Sequence, residues 1–560
     1  MNIIHSLPPI FPDNTYVALD IELFRMLPNR LHRPTTGKFA CLSVCADPSE
    51  VYIITEADQI QSALDRIWNT VWVFHHAKFD LTHLRRWASI PPRQRLVDTL
   101  IIDRILWNGY YDNFSLQDLA RRYLLEHLDK AQRENFLEKE SMTPEMIEYS
   151  AQDASTVLRV WWEQKKHVTN NDMHLWRWIE LPALWAILDF QTFCVDVNAW
   201  QTLAEANAKR RDEIDASLPF NPRSPKQVLE ALRHMGFKNL TSTGEDALSR
   251  AIRSFPDAPA TKYAQLILES RMYGKRASTY GIKWLENYLE FLPEGVYGFH
   301  SDYWVIGAET SRMSTSNPPI HQIPIRDTKD FRNCFIARPG NKLIIADFSQ
   351  QEIFVAAFIS QDKQLIELCN SGNDIYVQMA KMVWGKDIEK KDPLRQRMKA
   401  VVLGIDYGMT KYGLAKREGI TVKQAEEILR DFRNAFPDLA LWIESQQQRR
   451  NFVVTPTGRK IWLNPYSGQA RRNAVNAPIQ GFSAEITKRT LANLHENWKW
   501  DCPFGVVGVF HDEFVLDIPK EYVEEIAEFV KTTMIETANY MCPGMTFRAE
   551  CTIADNWGEK

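Results

Sequence analysis

"VVGVFHDEFVLDIP" (506–519) holds two apolar, strand-like runs, Val506–Phe510 and Phe514–Ile518, around His511, Asp512 and Glu513. Hairpin turns normally use Gly or Asn chemistry. Adjacent carboxylates between buried strands therefore ask for a function. A second stretch, "KLIIADFSQQEI", is another apolar strand that delivers Asp347 at its end, with Glu352 at a following helix start. Two aspartates on rigid strand ends are the minimal framework for two-metal phosphoryl transfer.

A separate set of acids lies near the N-terminus. "YVALDIE" is a strand whose alternation puts Asp20 and Glu22 on one face. "HHAKFDLTHL" places Asp80 at a helix start, and "EYSAQDAS" puts Tyr149 and Asp153 four apart on one helix face. Converging carboxylates repel unless cations neutralise them, and oxygen ligands suit Mg²⁺ or Mn²⁺. Two such ions about 3.5–4 Å apart activate a water for phosphodiester hydrolysis. Tyr149 is expected to orient that water.

"PLRQRMKAVVLGIDYGMTKYG" spaces Arg395, Lys399, Leu403 and Tyr407 by four, a slowly curving helical stripe. Arg395 and Lys399 are a like-charge pair that an anion would relieve, and a triphosphate has the right size and charge. Gly404 and Gly408 each cost a helix about 1 kcal/mol. They fit if something planar approaches.

The 560 residues are 45% hydrophobic, enough for several cores. No window approaches the ~20 apolar residues of a membrane helix, and the start lacks a signal-peptide pattern. Eight cysteines without a CxxC suggest neither a disulfide framework nor a zinc site, and fit a reducing compartment. The net charge of −4 argues mildly against a nucleic-acid binder. It hides basic pairs at Arg210/Arg211, Lys275/Arg276, Arg449/Arg450, Arg471/Arg472 and Lys488/Arg489. Residues 1–185 read as an α/β unit and 186–295 as helical. Ser224, Pro225 and Gly236 mark the ends of one helix. A helical stretch, 362–450, interrupts a sheet that closes with "TFRAECTIADNW".

Together these motifs resemble two known families. The acids Asp20, Glu22, Asp80, Tyr149 and Asp153 resemble the DEDD 3′–5′ exonucleases. Asp98 matches a supporting position, and His76 stands where the family usually has Asn. Nearly end to end, "RMSTSNPPIHQIPIR", "ADFSQQEI", "RQRMKAVVLGIDYG", "RRNAVNAPIQG" and "VFHDE" resemble DNA polymerase family A. The resemblance implies an α/β multidomain chain: an RNase H-like exonuclease domain (1–185), then a right-hand polymerase. Its thumb is 186–295, its palm 296–361 and 478–560, and its fingers 362–477.

It also implies site roles. Asp347 and Asp512 bind metal at the polymerase site, and Asp20, Glu22, Asp80 and Asp153 at the exonuclease site, two Mg²⁺ (or Mn²⁺) each. Arg395 and Lys399 contact the triphosphate, with Lys399 as general acid toward pyrophosphate. Leu403, Tyr407, Gln350 and Glu352 complete the nucleotide site. Glu352 is the steric gate against a ribose 2′-OH, and Tyr407 stacks near the templating position. Arg312, Arg472, Asn476 and Gln480 read the minor groove, His511 contacts the primer end, and Lys275 contacts a backbone phosphate. Gln351, Phe354 and Leu403 depart from the usual motif residues.

The expected partners are primer–template DNA and dNTPs, with further replication proteins left open. The expected state is a monomer without membrane contact, in the cytoplasm of a phage-infected or bacterial cell. Because the chain begins almost at the exonuclease, a compact phage-type replicative enzyme without a 5′-nuclease is expected. The rivals are a single-subunit RNA polymerase and a non-catalytic DNA-binding protein. Closure of the Arg395–Tyr407 helix on a nucleotide is expected to complete the site.

Overall fold

The computed structural model describes residues 1–25, 36–91, 94–129, 135–323, 329–406, 410–464 and 466–560. They form two compact units. The first comprises Met1–Gln191, Ser301–His321 and Ile344–Ile553; the second comprises Thr192–His300, Gln322–Leu343 and Ala554–Lys560.

The first unit opens with a six-stranded mixed sheet of β1 (Asn2–Ile4), β2 (Tyr16–Phe24), β3 (Lys38–Asp47), β4 (Glu50–Ile54), β5 (Val71–Phe74) and β6 (Leu96–Asp98). The order is β1-β4-β3-β2-β5-β6. β3 runs antiparallel to β2 and β4, and the other pairs are parallel. Central strands such as β2 bury Val17, Ala18, Leu19 and Ile21, as a sheet covered on both faces requires. The Pro144–Gln164 helix lies against β2 and β3. It starts at Thr143, whose hydroxyl accepts from the Met146 N–H, with Pro144 at the first turn where its missing donor costs nothing.

The same unit holds a four-stranded sheet in the order Val506–Phe510, Glu513–Pro519, Asn341–Phe348, Ala549–Ala554. The Ala470–Glu496 helix packs against the Gln351–Ser360 and Val523–Met541 helices. Among the described residues, six helices from Lys363 to Gln447 interrupt this sheet in sequence, the helical insertion expected between Asp347 and Asp512. A fully buried ion cluster joins distant segments of this unit. Arg459 pairs with Glu180 and Glu485, and Lys488 pairs with Glu180 at 2.6 Å. The basic pair Lys488/Arg489 is thereby split between two environments. Lys488 is internal, and Arg489 is held by Asn493 and Glu496.

The second unit is a helical bundle of Val197–Ser217, Pro225–His234, Glu245–Ser254 and Pro259–Thr279 around Ile214, Val228, Leu232, Phe237, Leu248 and Ile267. Ser224 caps the second helix by accepting from the Gln227 N–H. That helix ends at Gly236, whose φ of 124° suits only glycine well. Among the described residues no helix is long and apolar enough to cross a membrane.

Candidate active sites

β2 carries Asp20 and Glu22 two apart on one face. Asp80 sits in the first turn of the Ala77–Leu84 helix, buried, and its Oδ1 accepts from the Ile21 N–H at 3.1 Å. Burial, and next the negative charge of Asp20, push the Asp80 carboxyl well above the usual carboxylate range. Tyr149 and Asp153 lie on the Pro144–Gln164 helix. Burial raises the Tyr149 phenol, followed by the charges of Asp153, Glu22 and Asp20. The structure thus brings together all five residues read from the sequence.

Asp98 has a supporting place. It accepts N–H bonds from His76 (3.1 Å), Ala77 (2.8 Å), Leu100 (2.9 Å) and Ile101 (3.3 Å), fastening the start of the Asp80 helix to its own. Burial still lifts its carboxyl to about 6.

Asp347 ends one strand of the second sheet, and Asp512 lies in the turn beside it. The Phe348 N–H donates to the Asp512 carbonyl at 3.4 Å, which sets the two aspartates on neighbouring backbone. The turn differs from the expected three-residue tip. Glu513 is the first residue of its strand, pairs with Phe510 and is buried, so only His511 and Asp512 form the tip. The turn closes because His511 adopts the left-handed region at φ 62°, which costs a non-glycine residue about 1–2 kcal/mol. Gln350, just after the other aspartate's strand, does the same at φ 61°.

Glu352 forms an ion pair with Arg312, joining the expected gate to an expected minor-groove reader. The motif departures Gln351 and Phe354 flank Glu352 in sequence. Both are buried, and the Phe354 ring packs on Phe547 at 5.0 Å.

Arg395 and Lys399 share the Pro393–Asp406 helix. The like-charge pair is already partly relieved, because Arg395 holds Asp374 through Nε (2.9 Å) and Nη2 (2.7 Å). Against its own desolvation, this pairing keeps the Asp374 carboxyl below the usual range. The Tyr376 ring lies near both cations, 5.5 Å from the guanidinium and 5.8 Å from the ammonium. The backbone of Leu403 belongs to this helix. Its side chain, and Tyr407 altogether, lie outside the described residues.

Arg472, Asn476 and Gln480, each four apart on the Ala470–Glu496 helix, line a groove of about 600 Å³ with Tyr110, Trp462 and Tyr466. Arg312, His321 and His511 line a smaller recess together. Lys275 is exposed on the Pro259–Thr279 helix of the second unit.

His321, Asp374, Tyr303 and the Arg459 cluster carry no assignment from the sequence. Only His321 lies within a motif, "RMSTSNPPIHQIPIR"; the others depend on contacts between remote segments.

Both acidic sets offer only carboxylate and phenol oxygens, the donor type that a hard divalent ion takes, so the residues present fit such an ion. Among the described residues no three acidic, cysteine or histidine side chains already stand in ligand geometry.

Residues 197–559 match the family model for DNA polymerase family A, and residues 11–168 that for a 3′–5′ exonuclease. The chain belongs to DNA polymerase family A and carries a 3′–5′ exonuclease domain ahead of the polymerase domain. Domains of both kinds use divalent metal ions. The chain is 28% identical to DNA polymerase I of Pseudomonas aeruginosa over 87% of its own length and 56% of that protein. It is 26% identical to DNA polymerase I of Aquifex aeolicus over 94% of this chain and 95% of that one. It spans about half the length of several relatives, such as those of P. aeruginosa and Chloroflexus aurantiacus (56% and 54%). Its fold is similar to a solved structure described as the POL domain of Pol1 from M. smegmatis in complex with DNA primer-template and dNTP. The TM-score is 0.83 at 21% identity, over 100% of this chain and 99% of that one.

Proposed function

We propose that this chain is a template-directed DNA polymerase that extends a primer 3′ end with dNTPs and edits that end with its 3′–5′ exonuclease. One observation carries the reading: Asp347 and Asp512, remote in sequence, meet at adjacent strand ends of one sheet, joined by the Phe348–Asp512 backbone bond. Primer–template DNA and dNTPs are named with the M. smegmatis structure, which supports them as partners here.

In this reading the exonuclease is 1–185, the thumb 186–295, the palm 296–361 with 478–560, and the fingers 362–477. Asp347 and Asp512 hold Mg²⁺ or Mn²⁺ at one site, and Asp20, Glu22, Asp80 and Asp153 at the other, two ions each. Bound there, the ions stabilise charge on the attacking and leaving oxygens of phosphoryl transfer.

The chain's own residues orient the reactants. Arg395 exchanges Asp374 for the incoming triphosphate, and Lys399 donates a proton toward the leaving pyrophosphate. Leu403, Tyr407 and Gln350 border the nucleotide, and Glu352, steadied by Arg312, occupies the room of a 2′-OH. Arg312, Arg472, Asn476 and Gln480 check duplex shape from the minor groove, Lys275 holds a phosphate, and His511 meets the primer end. In the exonuclease, Tyr149 aligns the attacking water.

The test is primer extension with dNTPs against rNTPs, together with 3′-end degradation, for the wild type. Extension by dNTPs and loss of the 3′ end are expected; preferential use of rNTPs, or neither activity, overturns the reading.

A further inference from the structure

The short strand Asp302–Trp304, in the stretch just before "RMSTSNPPIHQ", touches elements of both candidate sites. It pairs antiparallel with Ser314–Ser316. Alternation along a strand sends Asp302 and Trp304 to one face and Tyr303 to the other. On the first face, Asp302 forms a buried ion pair with Lys78, and the Lys78 ammonium also donates to the Tyr303 carbonyl at 2.9 Å. Ser316 braces this face by donating to Asp302 at 3.3 Å and accepting from the Trp304 indole N–H at 3.1 Å. The Trp304 ring stacks on His76, centroids 4.7 Å apart and planes within 5°. His76 sits at φ 76°, capping the Ala77–Leu84 helix. Lys78 and Asp80 are two apart on that helix, about 200° around it. One reaches the strand while the other faces β2.

On the opposite face, the buried Tyr303 phenol oxygen accepts from the Val509 N–H at 3.2 Å, and His321 binds the Val509 carbonyl at 2.7 Å. Val509 lies three residues before Asp512. Its outward backbone groups are therefore fixed from outside the hairpin.

We propose that the Asp302–Trp304 strand is a common strut that positions both sites: Lys78, Asp302 and the His76–Trp304 stack hold the helix bearing Asp80, and Tyr303 holds the strand leading into Asp512. This rests on the proposed two-activity reading. The strut residues are positioning residues; none touches a reacting atom. The stack also gives His76 a reason for standing where the exonucleases usually have Asn.

The test uses the full chain with Lys78→Met, Lys78→Arg, Tyr303→Phe and Asp20→Ala. A misplacement of about 1 Å costs on the order of 100-fold in rate. Lys78→Met is expected to lower exonuclease kcat at least about tenfold with KM within about twofold, and to slow primer extension as well. Lys78→Arg should recover most of both activities. Tyr303→Phe, which removes only the acceptor of the Val509 N–H, should slow extension and spare the exonuclease. If Lys78→Met fails to fold, Lys78→Met/Asp302→Leu replaces the buried pair with apolar packing and is assayed in its place. Exonuclease kcat within twofold of wild type in the folded variant overturns the strut. A fall in exonuclease alone overturns its being shared. Exonuclease surviving in Asp20→Ala would instead sink the underlying site reading.

Discussion

The N–H of Phe348 donates to the carbonyl of Asp512 at 3.4 Å, so the residue after one strand-end aspartate is tied to the other aspartate itself. No side-chain rearrangement is needed to bring Asp347 and Asp512 onto neighbouring backbone. The geometry belongs to the sheet, and a rigid sheet suits chemistry that depends on placement.

The His511 turn separates stability from function. At φ 62° histidine bears a cost that glycine does not. His511→Gly is expected to raise stability by up to about 1 kcal/mol, read from denaturant midpoints, while slowing primer extension through loss of the primer-end contact. Lower stability with unchanged extension would make the residue purely structural.

In the proposed reading, the Arg312–Glu352 pair steadies Glu352 as a wall against a ribose 2′-OH. Glu352→Ala should improve rNTP use relative to dNTP by about 10- to 100-fold, the range that small steric differences in a pocket command. Single-turnover incorporation of each nucleotide measures this ratio. An unchanged ratio removes the gate role.

His321 gives a pH dependence. Burial lowers its pKa to about 4, partly countered by the bond to Val509, so the neutral imidazole donates Nε2–H to that carbonyl. The unfolded chain's histidine titrates near 6.5, so between about pH 6.5 and 4 the unfolded state binds more protons. Stability from this group is complete above about pH 6.5 and falls as the pH drops toward 4, by about 3 kcal/mol in all. Urea unfolding at several pH values should show a steeper acid loss for wild type than for His321→Gln. Parallel curves would contradict the assignment.

The Arg459 cluster is entirely buried. Arg459→Met leaves Glu180 and Glu485 opposed only by Lys488 and should cost about 3–5 kcal/mol. Replacing Glu485 with Leu in the same chain should recover part of it. Guanidinium unfolding midpoints of the single and double variants measure both effects.

What was legible in the sequence was local. Period-2 strands announced the faces of Asp20, Glu22 and Asp347, and the i,i+4 spacing aligned Tyr149 with Asp153. What was not legible depended on distance along the chain. Lys78 meets Asp302 across 224 positions, and Arg459 meets Glu180 across 279. Nothing in "TKRT" marks Lys488 as internal, because burial of a charge is decided by a carboxylate elsewhere. Asp374 as the companion of Arg395 was hidden for the same reason. Glu513 reads as part of the tip in the sequence because a turn centred on His511 runs against ordinary turn chemistry.

In the proposed reading one chain holds two separate acidic sites with two separate activities. The decisive measurement assays Asp347→Ala and Asp20→Ala, each with Mg²⁺, for primer extension and for 3′-end degradation. Asp347→Ala should abolish extension and keep degradation, and Asp20→Ala should do the reverse. Both activities surviving in both variants would contradict it.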